Sequence, residues 1–235
     1  MRVFCRRALC ALLCVLAFAS LCPLGADAVT DYSLCSNKGV MLEFPEELLE
    51  GVHTARIKAA KKNGSVSLLP RPGSGGGDMG TIKDGHLVVI LAEKDDYYFF
   101  MTVAGKLAWN QKKYFTGLKT VESGYLNGKR GLTASQIRKL QAFLLDGNCG
   151  MASPEFYAAR SVLVLNKTES QSIPIHRTWG ARYDTHYDEK YLKIRWIGTE
   201  KNAKVQIVTK KRGVTYLELT NDGNDQAFMI MIIVT

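Results

Sequence analysis

The chain has 235 residues and a formal net charge of +9 at pH 7. This length permits one large domain or two small ones with sizeable cores, and beyond the N-terminus no segment is long and apolar enough to span a bilayer. The excess of basic residues indicates either an anionic partner or simply a soluble surface.

Residues 1–28 have the layout of a secretory signal peptide. Three arginines precede an apolar run of about 14 residues that begins near Ala8, and the sequence Ala26-Asp27-Ala28 follows. Because a membrane-spanning helix needs roughly 20 apolar residues, we expect cleavage after Ala28 rather than an uncleaved anchor. Cleavage places the protein in the periplasm or the extracellular space, without an integral membrane segment, and lowers its charge from +9 to +7. There a basic protein meets anionic wall polymers or lipid headgroups rather than nucleic acid.

The cysteines point to the same compartment. Four of the six leave with the signal peptide, so that Cys35 and Cys149 remain. Two thiols in an oxidising compartment favour one disulfide. Such a bond would close a long loop and stabilise the fold by about 4 to 5 kcal/mol on a chain-entropy argument.

Residues 29–53 form an N-terminal segment, and residues 54–116 a strand-rich first module. In the segment, Pro45 and the acids after it sit where a helix begins and Gly51 where it ends, so we expect one short helix. In the module, the run Gly73-Ser74-Gly75-Gly76-Gly77 predicts a loop tip. No Gly-Lys-Ser/Thr follows this run, as a phosphate-binding loop requires.

The first module carries a series of strand and turn signals. Val66-Ser67-Leu68-Leu69-Pro70-Arg71-Pro72 is followed by Gly80-Thr81-Ile82-Lys83-Asp84-Gly85-His86-Leu87, then by Tyr98-Phe99-Phe100-Met101 and Gly105-Lys106-Leu107-Ala108-Trp109. This succession resembles the bacterial SH3-like domain of exported proteins over about residues 54–116. In that family a Val-x-Val-Arg strand leads into a loop with a proline, a Gly-x-Leu/Ile-x-x-Gly turn opens the next hairpin, and Gly-Lys-x-Gly-Trp closes the series.

The resemblance implies a small, strongly bent β-barrel and assigns positions to several side chains. Tyr98 stands at the family's aromatic position, Met101 and Val103 stand at inward positions, and Trp109 is the closing tryptophan. Ala108 replaces the glycine that precedes this tryptophan in the family, which suggests a slightly different strand turn.

A barrel this small holds few core side chains, so some of its aromatic rings must lie near the surface. We therefore expect a shallow platform for a peptide or a glycan, formed by Tyr97, Tyr98, Trp109 and Tyr114. The alternative is that these rings only cover the barrel or pack on the second domain. Leu69, at the family's common arginine position, would alter the chemistry of such a groove.

Residues 117–153 form a connector with a helix over 133–145. Thr133 is placed as its N-cap. Four apolar residues recur at helical spacing, which predicts a stripe for core or domain packing: Ile137, Leu140, Phe143 and Leu144.

After Pro154 the hydrophobic period changes to two, with candidate strands near 157–166, 171–179, 190–198, 203–210, 214–220 and 227–235. Short turns separate the last three strands, which predicts an antiparallel meander. The run from Phe228 to Val234 has no polar face, so we expect a central strand covered on both sides. The predicted fold class is mainly β: a small SH3-like barrel, a helix, and an antiparallel β-sandwich-like domain over 154–235.

One pattern suggests an enzyme. Cys149 with His176 downstream invites comparison with cysteine peptidases of the cell wall. However, Asn148-Cys149-Gly150 stands where those peptidases carry Asp-Cys-Ser-Gly, and a disulfide explains Cys149 as well.

A second pattern suggests a cation site. Asp184, His186 and Asp188 alternate, so that on an extended segment all three side chains would face one way. A polar turn between strands explains them equally, and we expect no metal and no cofactor.

The leading hypothesis is a non-catalytic exported protein whose SH3-like module binds a cell-envelope component, such as a wall peptide. A cell-wall cysteine hydrolase that uses Cys149 and His176 is the first alternative. The second is an envelope scaffold or assembly protein that binds other proteins.

Overall fold

The computed structural model describes residues 42–75, 79–120, 132–145, 157–158, 160–176, 183–199, 202–221 and 226–235. These residues belong to a compact unit that spans Asp31–Thr235. The predicted signal peptide and the predicted Cys35–Cys149 disulfide lie outside the described residues. Over the described ranges the chain is mainly β, as the sequence predicts. No helix in those ranges has both the length and the apolar character needed to cross a membrane.

The first module is built on a five-stranded antiparallel sheet. Its order is β6-β5-β4-β1-β7, and a separate hairpin pairs β2 with β3. The strands are β1 (His53–Ile57), β2 (Ser65–Ser67), β3 (Thr81–Lys83), β4 (Leu87–Lys94), β5 (Tyr97–Thr102), β6 (Leu107–Gln111) and β7 (Phe115–Thr120). A 3₁₀ helix, Lys112–Tyr114, joins β6 to β7.

The closed barrel that the sequence predicts is not observed. Strands β6 and β7 lie at opposite ends of the sheet, and over the described ranges no pairing joins them. One bridge, Leu69 with Trp109, links β6 to the chain after β2. The sheet also has a register shift in the β4–β5 pair at Ile90–Ala92, and such bulges bend and twist a sheet. The sheet is therefore bent but open.

The N-terminal segment lies against this sheet without forming the predicted helix. Residues 42–50 contain bends and irregular chain only. The backbone N–H of Leu49 donates to the carbonyl of Leu91, 2.7 Å away, and Leu42 is buried in the core of the module. These contacts with distant residues replace the local hydrogen bonds of a helix.

The predicted connector helix is confirmed as α1, Ala134–Leu145. The backbone N–H of Gln136 donates to Thr133 Oγ1 at 3.2 Å, and the N–H of Thr133 donates to Gln136 Oε1 at 2.8 Å. This reciprocal capping box fixes the start of the helix. The predicted apolar stripe is buried in the core of the first module.

Two four-stranded sheets form the C-terminal part, with the orders β12-β13-β10-β8 and β11-β14-β15-β9. Both sheets contribute side chains to one shared core, so they pack as a sandwich. The strands are β8 (Tyr157–Ala158), β9 (Val162–Leu165), β10 (Ser170–His176), β11 (Tyr183–Tyr187), β12 (Leu192–Ile197), β13 (Lys204–Thr209), β14 (Gly213–Asn221) and β15 (Gln226–Val234).

The pairing of these strands corrects the sequence prediction in three ways. The predicted meander is wrong at its first turn, because β13 pairs with β10 and β12 whereas β14 belongs to the other sheet. The pairing is not wholly antiparallel, because β9 runs parallel to β15. The polar segment around His186 is an edge strand, β11, rather than a turn.

Strand β15 is covered on both faces, as predicted. Phe228, Ile230 and Ile232 face the sandwich core, whereas Met231 and Ile233 belong to the core of the first module. Because side chains alternate along a strand, this one strand contributes to both cores.

Candidate functional site

Trp109, the centre of the predicted aromatic platform, is not at the surface. Its exposed fraction is 0%. Its indole N–H donates to the carbonyl of Glu43 at 2.5 Å, and its ring lies 5.2 Å from that of Phe99. The N-terminal segment therefore covers the tryptophan, which offers no face to a ligand and has a structural role.

The predicted tyrosines are half-buried, and Tyr97 does not share a platform with Tyr98. Tyr97 and Tyr98 are adjacent on β5, so their side chains leave opposite faces of the sheet. The hydroxyl of Tyr97 accepts a hydrogen bond from Gln111 Nε2 at 3.1 Å. The ring of Tyr98 packs edge-on against Phe115, with 5.3 Å between the centroids.

Two lysines of the 3₁₀ helix lie over the rings of Tyr98 and Tyr114. Lys112 Nζ is 5.2 Å from the ring centroid of Tyr98, and Lys113 Nζ is 5.1 Å from that of Tyr114. Both distances are within the range of cation–π contacts. We call Tyr98, Lys112, Lys113 and Tyr114 the tyrosine–lysine surface.

Charge at this surface is partly balanced. Lys112 Nζ also lies 3.1 Å from Glu93 Oε2, in an exposed ion pair of small energetic value. The surface thus places ammonium donors and two phenol hydroxyls beside half-buried aromatic rings, which suits a polar ligand with apolar patches.

A concave site lies elsewhere, between α1 and the strands β14 and β15. It is a cleft of about 720 Å³, within the usual size range of ligand sites. The rings of Phe143 and Tyr216 are 5.6 Å apart there, and Leu145 and Tyr216 are 60% and 41% exposed. The cleft is lined by Lys139, Ala142, Phe143, Leu145, Val214, Tyr216 and Met229.

The sequence prediction missed this apolar cleft. The helical stripe correctly identified Phe143 and Leu144 as packing residues, but it said nothing of Leu145, which follows the stripe and is exposed. The only available signal was Tyr216 in the predicted strand 214–220. A single tyrosine in a strand does not indicate a cleft.

The described residues do not assemble the predicted catalytic pair or the predicted cation site. Cys149 lies outside the described residues, so its distance from His176, at the exposed end of β10, is not defined. Asp184 and His186 are exposed on the edge strand β11, and Asp188 Oδ1 accepts the N–H of Lys190 at 2.8 Å. Within the described ranges no three His, Cys, Asp or Glu side chains are placed to hold a metal ion.

Lys106 is the one described lysine whose pKa is lowered. Burial lowers the pKa of this ammonium below 10.5, and the positive charge of Arg160 lowers it further. Its Nζ donates to the carbonyl of Met79. This lysine lies next to Gly105, which meets the backbone of Val162 in β9, so it belongs to the contact between the two parts of the fold.

No family model matches the chain, and no curated protein matches it either. Among solved structures, domains 4 and 5 of the S-layer protein SbsC align with 77% of this chain and 99% of their own, at 10% identity and a TM-score of 0.30. The structure of the S-layer protein rSbsC(31-844) aligns with 82% of this chain, at 9% identity and a TM-score of 0.30, and the chain spans 28% of its length. At these scores the likeness carries no argument about fold or function.

Proposed function

We propose that the protein is a non-catalytic exported binding protein, and that its first module contacts a cell-envelope component such as a wall peptide through the tyrosine–lysine surface. The observation that carries the proposal is the placement of Lys112 and Lys113 over the half-buried rings of Tyr98 and Tyr114. A wall peptide presents carboxylates and amides beside short apolar side chains, and this combination pairs with ammonium groups and ring faces.

The SH3-like arrangement of the module is part of the same proposal. Three features support it: the β4–β5–β6 meander, the return of β7 to pair with β1, and the short helix between β6 and β7. The bridge between Leu69 and Trp109 pairs the free edge of β6 with the chain that follows β2. A bulged, bent sheet with one tied edge is what a small barrel requires.

Export after cleavage behind Ala28 is also proposed. It is tested by the intact mass of the protein purified from its native host, where the N-terminus is expected at Val29. A non-reducing mass of the same sample tests the oxidation of Cys35 and Cys149. Two free thiols there would remove the main argument against a cysteine hydrolase.

Binding is tested by co-sedimentation of the mature protein with purified peptidoglycan at low salt. The substitutions Tyr98→Leu and Lys112→Gln keep most of the buried contact area and remove the ring and the charge. Each is expected to weaken binding roughly fivefold, because one ring or cation–π contact contributes about 1 kcal/mol.

Tyr216→Leu is the matched control, since it replaces an exposed tyrosine of the sandwich. It is expected to bind as the wild type does. If only Tyr216→Leu loses binding, the site is the apolar cleft and the proposed surface is wrong. If the wild type does not sediment with the wall, the binding function itself is refuted.

A further inference from the structure

The outer face of one sandwich sheet is a basic surface. Strands β10, β13 and β12 lie side by side in antiparallel register. Their inward side chains, among them Ile173, Val205 and Leu192, form the sandwich core. Side chains alternate along a strand, so the intervening residues share the opposite, outer face.

The register arranges this outer face as three rows across the strands. The rows are Lys193, Val208 and Ser170; Arg195, Gln206 and Ser172; and Ile197, Lys204 and Pro174. We call these nine residues the basic sheet face. Its three cations are exposed, whereas its apolar members are only half-exposed.

The three cations of this face have no acidic partner in the part of the chain that the structure describes. None of the nine residues is an Asp or a Glu, and over the described ranges Lys193, Arg195 and Lys204 form no ion pair. Along the chain the acids nearest to these cations are Glu189 and Glu200, each four residues away, and Glu200 lies outside the described residues. Glu169, next to Ser170, accepts the Asn166 backbone N–H at 2.8 Å.

The spacing of these cations suits a repeating anion. Residues two apart on one strand are about 7 Å apart, and diagonal neighbours on adjacent strands are about 7 to 8 Å apart. Lys193, Arg195 and Lys204 therefore form a triangle whose sides are all about 7 Å or longer. Such separated charges can each meet a different anionic group of one extended chain.

We propose that the basic sheet face binds a linear polyanion, a polymer that carries phosphate or carboxylate groups along its length. A lipid surface fits it less well, because membrane binding by a protein surface uses large exposed apolar or aromatic side chains. The apolar members here are Ile197, Val208 and Pro174, all half-buried. The hydroxyls of Ser170 and Ser172 add hydrogen-bond donors beside the cations. This inference does not rest on the tyrosine–lysine surface.

The test uses long-chain inorganic polyphosphate as the probe and measures its affinity for the mature protein by calorimetry between 50 and 200 mM salt. Each contact contributes about −0.7 to the slope of log affinity against log salt for a flexible polyanion. Three contacts therefore give a slope of about −2, or roughly a 20-fold loss of affinity across this range.

The decisive variant is Lys193→Gln/Arg195→Gln/Lys204→Gln. It is expected to make the slope shallower by about 2. The matched control is Lys58→Gln/Lys61→Gln/Lys62→Gln, which removes the same charge from exposed lysines of the first module. The control is expected to leave the slope close to that of the wild type. Lys193→Arg/Lys204→Arg keeps the charges and is expected to keep binding, which separates loss of charge from loss of fold.

Three results overturn the inference. Equal loss in the test and control variants means that net charge alone attracts the polymer. An unchanged slope in the test variant means that the face is not the site. Binding to vesicles of phosphatidylglycerol but not to polyphosphate means that the partner is a membrane.

Discussion

The turn between β5 and β6 gives the sharpest stability test, through Gly105→Ala. Gly105 has φ +85°, a conformation that costs an L-residue about 1 to 2 kcal/mol. A Cβ built there lies 2.8 Å from the carbonyl oxygen of Val162 in β9. That oxygen belongs to backbone and cannot rotate away, so the turn and β9 must move apart at the contact between the two parts of the fold.

Two costs therefore add in this variant. The conformational cost is about 1 to 2 kcal/mol, and displacement of packed backbone costs about 1 to 3 kcal/mol more, as overpacking does. We expect the free energy of unfolding to fall by about 2 to 5 kcal/mol. Urea denaturation of the mature protein, followed by tryptophan fluorescence and by far-UV circular dichroism, measures it.

Gly85→Ala isolates the conformational part. Gly85 has φ +76°, and nothing lies within 4 Å of its Cβ position. This control is expected to lose about 1 to 2 kcal/mol only. Equal losses at the two glycines would show that the close approach of Gly105 to β9 does not exist.

Three further predictions concern buried polar groups and are read by the same denaturation assay. Thr209 Oγ1 donates to the carbonyl of Asn166 at 2.7 Å, so Thr209→Val should lower the free energy of unfolding by about 1 to 2 kcal/mol. Thr209→Ser keeps the hydroxyl and should recover most of this loss. A Val variant as stable as the wild type would contradict the prediction. Ser161 Oγ is buried with no hydrogen-bond partner among the described residues, so Ser161→Ala should be neutral or stabilise by up to about 1 kcal/mol, and a clear loss would refute the reasoning. The pKa of Lys106 is lowered in the folded state, so between this lowered pKa and pH 10.5 the unfolded chain binds more protons at this site, and stability should rise with pH across that window. Lys106→Met should remove that part of the rise, and identical pH profiles would contradict the lowered pKa.

Local signals in the sequence predicted α1 well. Its start depends on Thr133 and Gln136, which are three residues apart, and its packing depends on a stripe within the helix. The burial of β15 was also predictable, because a strand with apolar residues on both faces must be packed against other elements on each face. In each case the information lies within the element itself.

Other features depend on distant residues, which a single sequence does not show. Trp109 is covered by Glu43, which precedes it by 66 residues, so its motif position did not reveal its burial. The short turn before Gly213 predicted a hairpin, yet the chain crosses there from one sheet to the other. Alternation indicates which face of a strand is buried, but it does not identify the neighbouring strand. The basic sheet face could not be predicted without knowing which strands pair, because its cations come from two strands.

The two-sided burial of β15 has a consequence for the order of folding during synthesis. This strand follows all other described strands along the chain, and its alternate residues complete two different hydrophobic cores. Neither core is complete while residues 226–234 are still within the ribosome. Because one strand contributes to both, the two cores should form and unfold in a single cooperative transition.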